Sequence, residues 1–405
     1  MRRSAPSRYG RDQRNEKERN GLSADHLGGD RRSLGVLTGA KAVSNVALRW
    51  IGPFLPTLER AFGSSTSTMT SIMGAGELLG LNTAVTGRYI DRGHERRMVL
   101  VGLWVVMASS LIGLIGSITT FAVSFGLIIV GVGNLTVAAH SWISHRVPFE
   151  VRGRAIGILE TSWAVALLIG APAMAALIWA FGWRGAYSGL AIGAAVSAIV
   201  VHRLVPRDVD RVDAQTDWSP VRLPGSAYVP MVTAASIAAG GIGLFVISGS
   251  WLTDTFGAST SALGFVAAGL GAAELVSTTT VASISDRLGT RRSVFYGLVV
   301  FGFGISIMAV SGESFGRAVA GLMLAMGGFE YAYVSSLTLV SEAAPAARGK
   351  AIGVSNAFGT ISRSAAVVAT GLLYDEFGFA ASLLLAMTTI LVAVVTLFVR
   401  PHRTV

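Results

Sequence analysis

Eight titratable side chains interrupt stretches of this sequence that are otherwise apolar. A charged group is costly inside a hydrocarbon layer, so each of them is a candidate functional group. They are Lys41, Arg49, Glu77, His140, Glu160, Glu274, Glu330 and Arg363. Groups of this kind can bind protons, form ion pairs and hold a polar ligand. The chain has no Cys, and its six His show no metal-binding spacing, so we expect no enzyme activity, no metal and no cofactor.

The spacing of polar residues predicts two helical stripes. Lys41, Asn45 and Arg49 are four residues apart and would share one face of a helix. A similar stripe on a later helix contains Asn356 and Arg363. Such stripes can line an aqueous path. Two alternatives stay open: the Lys41 ammonium group could extend along the helix to a nearby membrane surface, and Arg49 could lie at the opposite interface.

Glu330 is the strongest candidate for proton binding. It lies near the middle of an apolar segment, where burial disfavours a charged carboxylate. A fixed salt bridge with a basic residue of another helix is its alternative. Glu77 and Glu274 are further proton-coupling candidates, and interhelical hydrogen bonding is the alternative for both.

The remaining intramembrane groups are candidates for substrate contact. His140 could bind substrate or be a hydrogen-bonded packing residue, and Glu160 could pair with Arg363 or with a substrate amine. The predicted substrate site contains seven residues: Asn45, Arg49, His140, Glu160, Glu330, Asn356 and Arg363.

The elements that carry these residues are membrane-spanning helices. Only 14% of the 405 residues are charged, against about a quarter in a soluble protein. Apolar runs of about 20 residues, the length needed to cross a bilayer, recur along the chain. The twelve predicted segments are 34–55, 67–87, 98–117, 121–144, 155–178, 185–204, 229–252, 262–283, 293–311, 317–340, 351–373 and 379–399. Long apolar runs without strict alternation favour helices over a barrel.

Basic residues predict the orientation of these segments. With the N-terminus in the cytoplasm, 27 of the 33 Lys and Arg residues fall on the cytoplasmic side, which is the bias of membrane proteins. We therefore expect both termini to be cytoplasmic, with polar regions at 1–33, 205–228 and 400–405. The net charge of +10 then reflects topology and needs no nucleic-acid partner. Arg outnumbers Lys tenfold, which suggests a GC-rich bacterial genome, so the expected location is a bacterial cytoplasmic membrane.

The two halves of the chain repeat one another. Residues 152–157 (RGRAIG) match residues 348–353 (RGKAIG) at an offset of 196. Glu77 and Glu274 occupy matching positions, and so do the Asp-Arg pairs at 91–92 and 286–287. The same order at nearly the same spacing indicates a tandem repeat of six helices. An even number of spans gives both repeats the same direction through the membrane, as in one class of transporter.

These motifs make the sequence similar to the major facilitator superfamily of transporters. The loop between segments 2 and 3 resembles the family's Gly-x-x-x-Asp-Arg-x-Gly-Arg-Arg signature. Its matching residues are Gly87, Asp91, Arg92 and Arg96 in the first copy, and Asp286, Arg287, Gly289 and Arg291 in the second. Residues 329–349 (FEYAYVSSLTLVSEAAPAARG) resemble the branch that exports drugs and metabolites.

The resemblance implies a fold and a set of gating residues. It implies an all-α membrane protein with two pseudo-symmetric six-helix bundles, at 34–204 and 229–399. It also implies that Asp91 latches against segment 11 near Arg348, and that Asp286 latches against segment 5 near Arg152. The alternative is that these charges only set topology and solvate the loops.

The expected function is secondary active transport of a small organic molecule by alternating access, coupled to protons. Drug or metabolite efflux is favoured, and uptake of an organic anion or sugar is the alternative. A membrane sensor with the same fold is the alternative from a different class. The expected partners are the substrate, protons and the lipid bilayer, and the expected state is a monomer.

Overall fold

A computed structural model describes residues 31–208 and 223–399. Most of the predicted basic tail, most of the central connection and residues 400–405 therefore lie outside the described residues. Within the described ranges the chain is helical and contains no strand. The predicted all-α fold is confirmed.

The described part of the first half contains nine α-helices. They are α1 (31–49), α2 (Leu55–Phe62), α3 (Thr66–Glu77), α4 (Thr83–Asp91), α5 (Glu95–Gly113), α6 (Ile118–Arg146), α7 (Phe149–Val165), α8 (Ala171–Phe181) and α9 (Trp183–Leu204). The second half forms six long helices. They are α10 (Tyr228–Phe256), α11 (Thr260–Leu288), α12 (Thr290–Ala309), α13 (Phe315–Ala343), α14 (Arg348–Phe377) and α15 (Phe379–Phe398).

All twelve predicted segments coincide with helices, but three are less regular than predicted. The first segment ends at residue 49, because Gly52 and Pro53 lead into a turn and the short helix α2. The second contains α3, a 3₁₀ turn over Leu78–Asn82, and α4. The fifth contains α7, a π turn over Ala166–Gly170, and α8.

Within residues 31–208 and 223–399, nine helical stretches are long and apolar enough to cross a membrane by length and composition. The helices α1, α3, α4 and α14 are not among them. α3 and α4 are too short to cross a membrane, because the 3₁₀ turn over Leu78–Asn82 divides their segment. α1 and α14 are long enough and carry Lys41, Arg49 and Arg363, the intramembrane charges that the sequence singles out.

The molecule has two faces. We call the face where α1 begins and α15 ends the terminal face, and the opposite one the distal face.

Helices that begin at the distal face start in the same way in both halves. Serine hydroxyls accept a backbone N–H of the first turn, a standard N-cap; the caps are Ser65 for α3, Ser117 for α6, Ser259 for α11 and Ser314 for α13. Gly182 and Gly378, with φ of 66° and 77°, precede α9 and α15.

The two halves pack tightly together near the distal face. Helix α3 lies against α14, α8 against α11, and the turn after α1 against α10. Glycines permit these close approaches: a methyl group at Gly371 would overlap the Thr70 hydroxyl, and one at Gly249 would overlap the Pro53 carbonyl. The distal face is therefore closed.

The terminal halves of the same helices are apart. A methyl group on any of five glycines there would meet no other atom within 4 Å; these are Gly87, Gly153, Gly157, Gly349 and Gly353. Gly153 and Gly349 lie near the N-terminal ends of α7 and α14, the helices that carry the repeated motif. The space between the halves therefore opens toward the terminal face.

Four helices that carry no charge in their central parts lie at the periphery. α5, α9, α12 and α15 expose large apolar side chains along their length, such as Trp104, Ile192, Phe303 and Leu391. Apolar side chains on the outer surface of a bundle suit contact with lipid. The charged helices lie inside this ring.

Candidate functional site

A buried ion pair joins the two halves. Arg49 of α1 donates from Nη1 and Nη2 to both carboxylate oxygens of Glu274 on α11, at 2.7 and 2.5 Å. The side chains are only 7% and 4% exposed. Nη1 also donates to the Trp163 carbonyl at 2.9 Å, and the guanidinium carbon lies 4.6 Å from the Trp163 ring centre. A bidentate arginine–carboxylate pair of this kind fixes both position and orientation.

A second ion pair crosses between the halves on the other side of the interface. Arg363 of α14 donates from Nε and Nη2 to one oxygen of Glu77, at 3.4 and 3.3 Å. Glu77 is the last residue of α3, directly before the 3₁₀ turn. This pair is longer and more exposed than the first, with side-chain exposures of 23% and 14%.

The repeat accounts for the two glutamates but not for their partners. Glu77 and Glu274 are equivalent positions, and each binds an arginine of the opposite half. At the offset of 196, however, the counterpart of Arg49 is Phe245 and the counterpart of Arg363 is Leu167. Phe245 instead lies with its ring centre 5.4 Å from the Arg49 guanidinium carbon. The charged centre has thus diverged from the symmetry of the fold.

A third cluster lies within the first half. Glu160 of α7 accepts hydrogen bonds from Lys41 Nζ at 3.0 and 3.2 Å, and its Oε1 lies 2.9 Å from His140 Nε2. Lys41 is 1% exposed, so the alternative in which its ammonium group reaches the surface is wrong. Ser162 Oγ joins the cluster by accepting from Lys41 and from Asn45 Nδ2, at 3.3 and 3.2 Å.

Glu330 differs from the other intramembrane carboxylates. It is 9% exposed on α13, and its described hydrogen-bond donor is the Thr278 hydroxyl at 3.4 Å. Among the described residues it forms no ion pair within 4.0 Å, so the alternative of a fixed salt bridge is not seen. It lies close enough to Glu274 and Arg49 to interact with both electrostatically.

One ion pair that the sequence left open is absent from the described residues. Glu160 contacts Lys41 and His140, whereas Arg363 contacts Glu77, so the alternative pairing of Glu160 with Arg363 is not formed. Asn356 is exposed on α14, one turn before Thr360, which accepts from Arg363 Nη2 at 3.3 Å.

The predicted gating residues lie around the open terminal face. The side chains of Asp91 and Asp286 lie outside the described residues. Four gating arginines are exposed; these are Arg92, Arg287, Arg291 and Arg348. Gly87 faces open space, and Gly289 ends α11 with φ of 82°. The latches of Asp91 on α14 and of Asp286 on α7 stay predictions for a state in which this face is closed.

Two gating arginines make contacts within the first half. Arg96 donates to the His202 carbonyl, and its backbone N–H donates to Asp208 Oδ1 at 2.7 Å. Arg152 donates to the Val147 carbonyl at 3.3 Å. Both contacts anchor the turns that connect helices at the terminal face.

Sequence reasoning missed the neutral groups that complete the site. Ser162, Thr278 and the Trp163 carbonyl each bind a predicted charged residue from a distant part of the chain. A serine or threonine in a membrane helix is too common to stand out, and a carbonyl leaves no signal in sequence. Among the residues that the structure describes, no cluster of three His, Asp or Glu could hold a metal ion.

The fold and the site together define a membrane transporter built from two repeats of six helices, closed at one face and open at the other. The chain belongs to the Major Facilitator Superfamily, whose family model matches residues 37–231 and 230–405.

Two curated relatives come from Bacillus subtilis strain 168. The uncharacterized MFS-type transporter YwfA is 23% identical over 361 residues, which cover 86% of this chain and 87% of the relative. Multidrug resistance protein 2 is 26% identical over 169 residues, covering 39% of this chain and 42% of the relative.

Solved structures share the fold. A bacterial homologue of the human lysosomal transporter Spinster, in an inward-facing and occupied conformation, superposes with a TM-score of 0.72 at 15% identity, covering 90% of this chain and 94% of that one. A D-xylose–proton symporter superposes with a TM-score of 0.72 at 17% identity, covering 90% and 96%. At these identities the likeness concerns the fold alone.

Proposed function

We propose that this protein exports small organic cations across a bacterial cytoplasmic membrane in exchange for protons. The observation that carries the proposal is Glu330, a buried carboxylate without an ion-pair partner among the described residues, beside the Arg49–Glu274 pair. A proton can neutralise this carboxylate, and so can the positive charge of a substrate. Competition of the two for one group would couple their movements in opposite directions.

The pairing of the basic residues supports a cationic substrate. Lys41, Arg49 and Arg363 each contact a carboxylate of the protein. An anionic substrate would have to displace one of these carboxylates and leave it buried without a partner, which is costly. Uptake of an organic anion, the alternative that the arginines suggest in sequence, is therefore less favoured than binding of a cation at Glu330.

Efflux rests on sequence similarity and on charge distribution. Residues 329–349 resemble the exporter branch, and one relative is named a multidrug resistance protein. The excess of Lys and Arg near the terminal face supports a cytoplasmic location for that face. The open space between the halves would then accept substrate from the cytoplasm.

The test uses purified protein in liposomes with tetraphenylphosphonium, a lipophilic cation that carries a permanent charge. We expect an imposed pH gradient to drive its transport by the wild type, and Glu330→Gln to lose this dependence. Glu376→Gln is the matched control, because it makes the same change at an exposed residue of α14. Flux that ignores the gradient in the wild type, or that follows it unchanged in Glu330→Gln, would contradict the proposal.

The same liposomes distinguish the alternatives. A neutral sugar or a carboxylate probe that accumulates with protons, while tetraphenylphosphonium does not move, would identify a symporter for uptake. A ligand that binds without any flux would identify a sensor.

A further inference from the structure

His140 lies between two hydrogen-bond acceptors. Its Nδ1 is 2.8 Å from the backbone carbonyl oxygen of Thr136, and its Nε2 is 2.9 Å from Glu160 Oε1. A carbonyl oxygen can only accept, so Nδ1 must carry a hydrogen. A neutral imidazole has one hydrogen, and Nε2 would then present a lone pair to a carboxylate oxygen that also has only lone pairs.

This geometry requires one more proton than a neutral histidine and an ionised glutamate provide. The proton can lie on Nε2, which gives an imidazolium beside a carboxylate. It can also lie on Glu160, which gives a neutral imidazole that accepts from a carboxylic acid. Either form makes the 2.9 Å contact a hydrogen bond. We propose that the His140–Glu160 pair is a proton-binding site in the first half, separate from Glu330.

Two charged groups and one neutral hydroxyl surround the pair. Lys41 of α1 donates to both oxygens of Glu160 and holds the carboxylate in place. Glu330 of α13, in the opposite half, lies close enough to interact electrostatically with Glu160. Ser162, on the same stretch of α7 as Glu160, contributes a neutral hydroxyl that accepts from Lys41. A proton on the pair thus changes the electrostatic potential at Glu330, on the other side of the space between the halves.

Loss of the proton would change what Glu160 can bind. Two lone pairs at 2.9 Å repel, so the carboxylate or the ring must move apart. The Glu160 and His140 side chains are 40% and 35% exposed, which leaves room for that movement. The Glu160 oxygen that faced His140 can then accept from a cationic substrate, while Lys41 still holds the carboxylate. This last step rests on the proposed function, whereas the presence of the proton does not.

Nitrogen-15 NMR of histidine-labelled protein tests the proton without any transport. The full chain has six His, and the His140 signals are assigned by their loss in His140→Gln. At pH 7.5, where a free histidine is mostly neutral, we expect both ring nitrogens of His140 to be protonated. Exposed His202 serves as the internal reference.

The matched variant is Glu160→Gln, which removes the charge and keeps the shape. Its amide can donate to Nε2, so His140 should become neutral with the hydrogen on Nδ1. Infrared spectroscopy shows whether the proton lies on Glu160 instead of His140. A neutral His140 in the wild type, with a carboxylic acid band that disappears in Glu160→Gln, places the same proton on Glu160 and supports the proposal. A neutral His140 without such a band overturns it.

Failure of this test and failure of the proposed function are distinguishable. The NMR experiment can show the proton in a protein that moves no tetraphenylphosphonium. Conversely, the gradient-driven flux can depend on Glu330 alone. If the pair binds a proton and the protein also exports tetraphenylphosphonium in exchange for protons, the number of protons exchanged per substrate should fall in Glu160→Gln relative to the wild type.

Discussion

At the residue scale, the buried ion pairs bear more on conformation than on stability. Removing two charges from water is expensive, and a buried pair recovers that cost only with good geometry. Arg49 and Glu274 have such geometry, with two short charge-assisted bonds and a third bond to a carbonyl. Because the pair joins α1 to α11 across the halves, it must break or rearrange when the halves separate there.

Removal of one member of this pair should destabilise the protein more than removal of both. Glu274→Gln leaves the Arg49 guanidinium buried without its bidentate partner, a cost of about 3–5 kcal/mol. In Arg49→Met combined with Glu274→Gln neither charge of the pair remains, so the loss should be smaller than in Glu274→Gln alone and smaller than the sum of the losses in Arg49→Met and Glu274→Gln. Thermal unfolding in one fixed detergent measures all variants, with Glu376→Gln as the control near zero. Costs that simply add would contradict a direct pairing.

The sequence indicates which residues form the charged site, but it does not indicate how they pair. The charged residues stand out because charges are rare in membrane helices, and their identity as a set was predictable. Their pairing was not, because Glu160 and Lys41 are 119 positions apart and Arg49 and Glu274 are 225 apart. Only the third dimension brings them together. Lys41 illustrates the error: distance from the helix end suggests a surface lysine, whereas a carboxylate of α7 holds it inside.

At the element scale, irregular turns coincide with the ion pairs. Glu77 directly precedes the 3₁₀ turn over Leu78–Asn82, and Trp163, which binds Arg49, lies shortly before the π turn over Ala166–Gly170. Such turns interrupt the regular helical bonding and often mark hinges or functional sites. Before the turn, α3 contacts both α14 of the other half and α6 of its own half, whereas after the turn α4 packs against α6. The second spanning segment therefore loses its close packing with the other half at the turn.

The glycines at the distal interface should control which face is open. Gly371→Val places a branched side chain where even a Cβ atom would overlap Thr70, so the distal halves of α3 and α14 must separate. Gly353→Val is the matched control on the same helix, since its surroundings are open. The chain has no Cys, so Ala175→Cys, at a buried position of α8 that packs against Gly264 of α11 in the other half, provides a unique label.

The rate of alkylation of this cysteine by a water-soluble maleimide is the measurement. We expect a severalfold increase with Gly371→Val and little change with Gly353→Val. Equal rates in both variants would mean that close packing at Gly371 does not hold the distal face closed.

Helix positions followed from sequence more reliably than helix interruptions. Apolar length fixes where a helix can cross a membrane, so all twelve segments were predictable within a few residues. The π turn lies in an apolar run, residues 166–170 (ALLIG), without proline. Pro172, two residues after the turn, has no N–H to donate to the Leu168 carbonyl, and Gly271 of α11 approaches Leu168. The proline is visible in the sequence, but the packing between distant segments is not readable from one of them.

At the scale of the whole molecule, the closed distal face is held by carboxylates that the repeat does not predict. Glu59 of α2 accepts from Thr66 at 2.7 Å and from Ser250, in the second half, at 3.0 Å. In the other direction, Asp375 of α14 accepts from the backbone N–H of Ser67 at 2.8 Å, at the start of α3. Each half thus contributes one carboxylate that binds a donor of the other. Nothing in the sequence around Glu59 or Asp375 indicates that these carboxylates bind the opposite half.

The environment of Glu59 makes closure sensitive to pH. Burial raises the pKa of Glu59 in the closed face, and the nearby negative charges of Asp254 and Asp375 raise it further, while the hydrogen bonds from Thr66 and Ser250 act in the opposite direction. Arg60, its neighbour on α2, is exposed. Opening returns the carboxyl to water, where its pKa is about 4.3. The closed face therefore binds this proton more tightly than the open one.

The sign of the effect follows from linkage. As the pH falls through the raised pKa, Glu59 is protonated in the closed face first, so closure becomes more favourable. Below about pH 4.3 the carboxyl is protonated in both states and the gain stays constant. Above the raised pKa the gain is lost. With the terminal face in the cytoplasm, as proposed, acid outside the cell would favour the state that is open to the cytoplasm.

Distances between spin labels across the distal face test this dependence. Ala61→Cys and Thr255→Cys are exposed positions in opposite halves of a chain without native Cys. In the wild type the fraction with the short distance should rise as the pH falls. In Glu59→Gln, whose amide oxygen still accepts from Ser250, this part of the pH response should disappear and the short distance should persist at high pH.

Asp254→Asn is the informative control, because Asp254 accepts from Tyr374 of its own half, at 2.7 Å, and makes no described bond across the interface. Its negative charge nevertheless raises the pKa of Glu59. Neutralising it should keep the pH response and move its midpoint to lower pH. A response that survives unchanged in Glu59→Gln would show that another carboxylate, such as Asp375, governs closure, because only the proton on Glu59 is removed by that substitution.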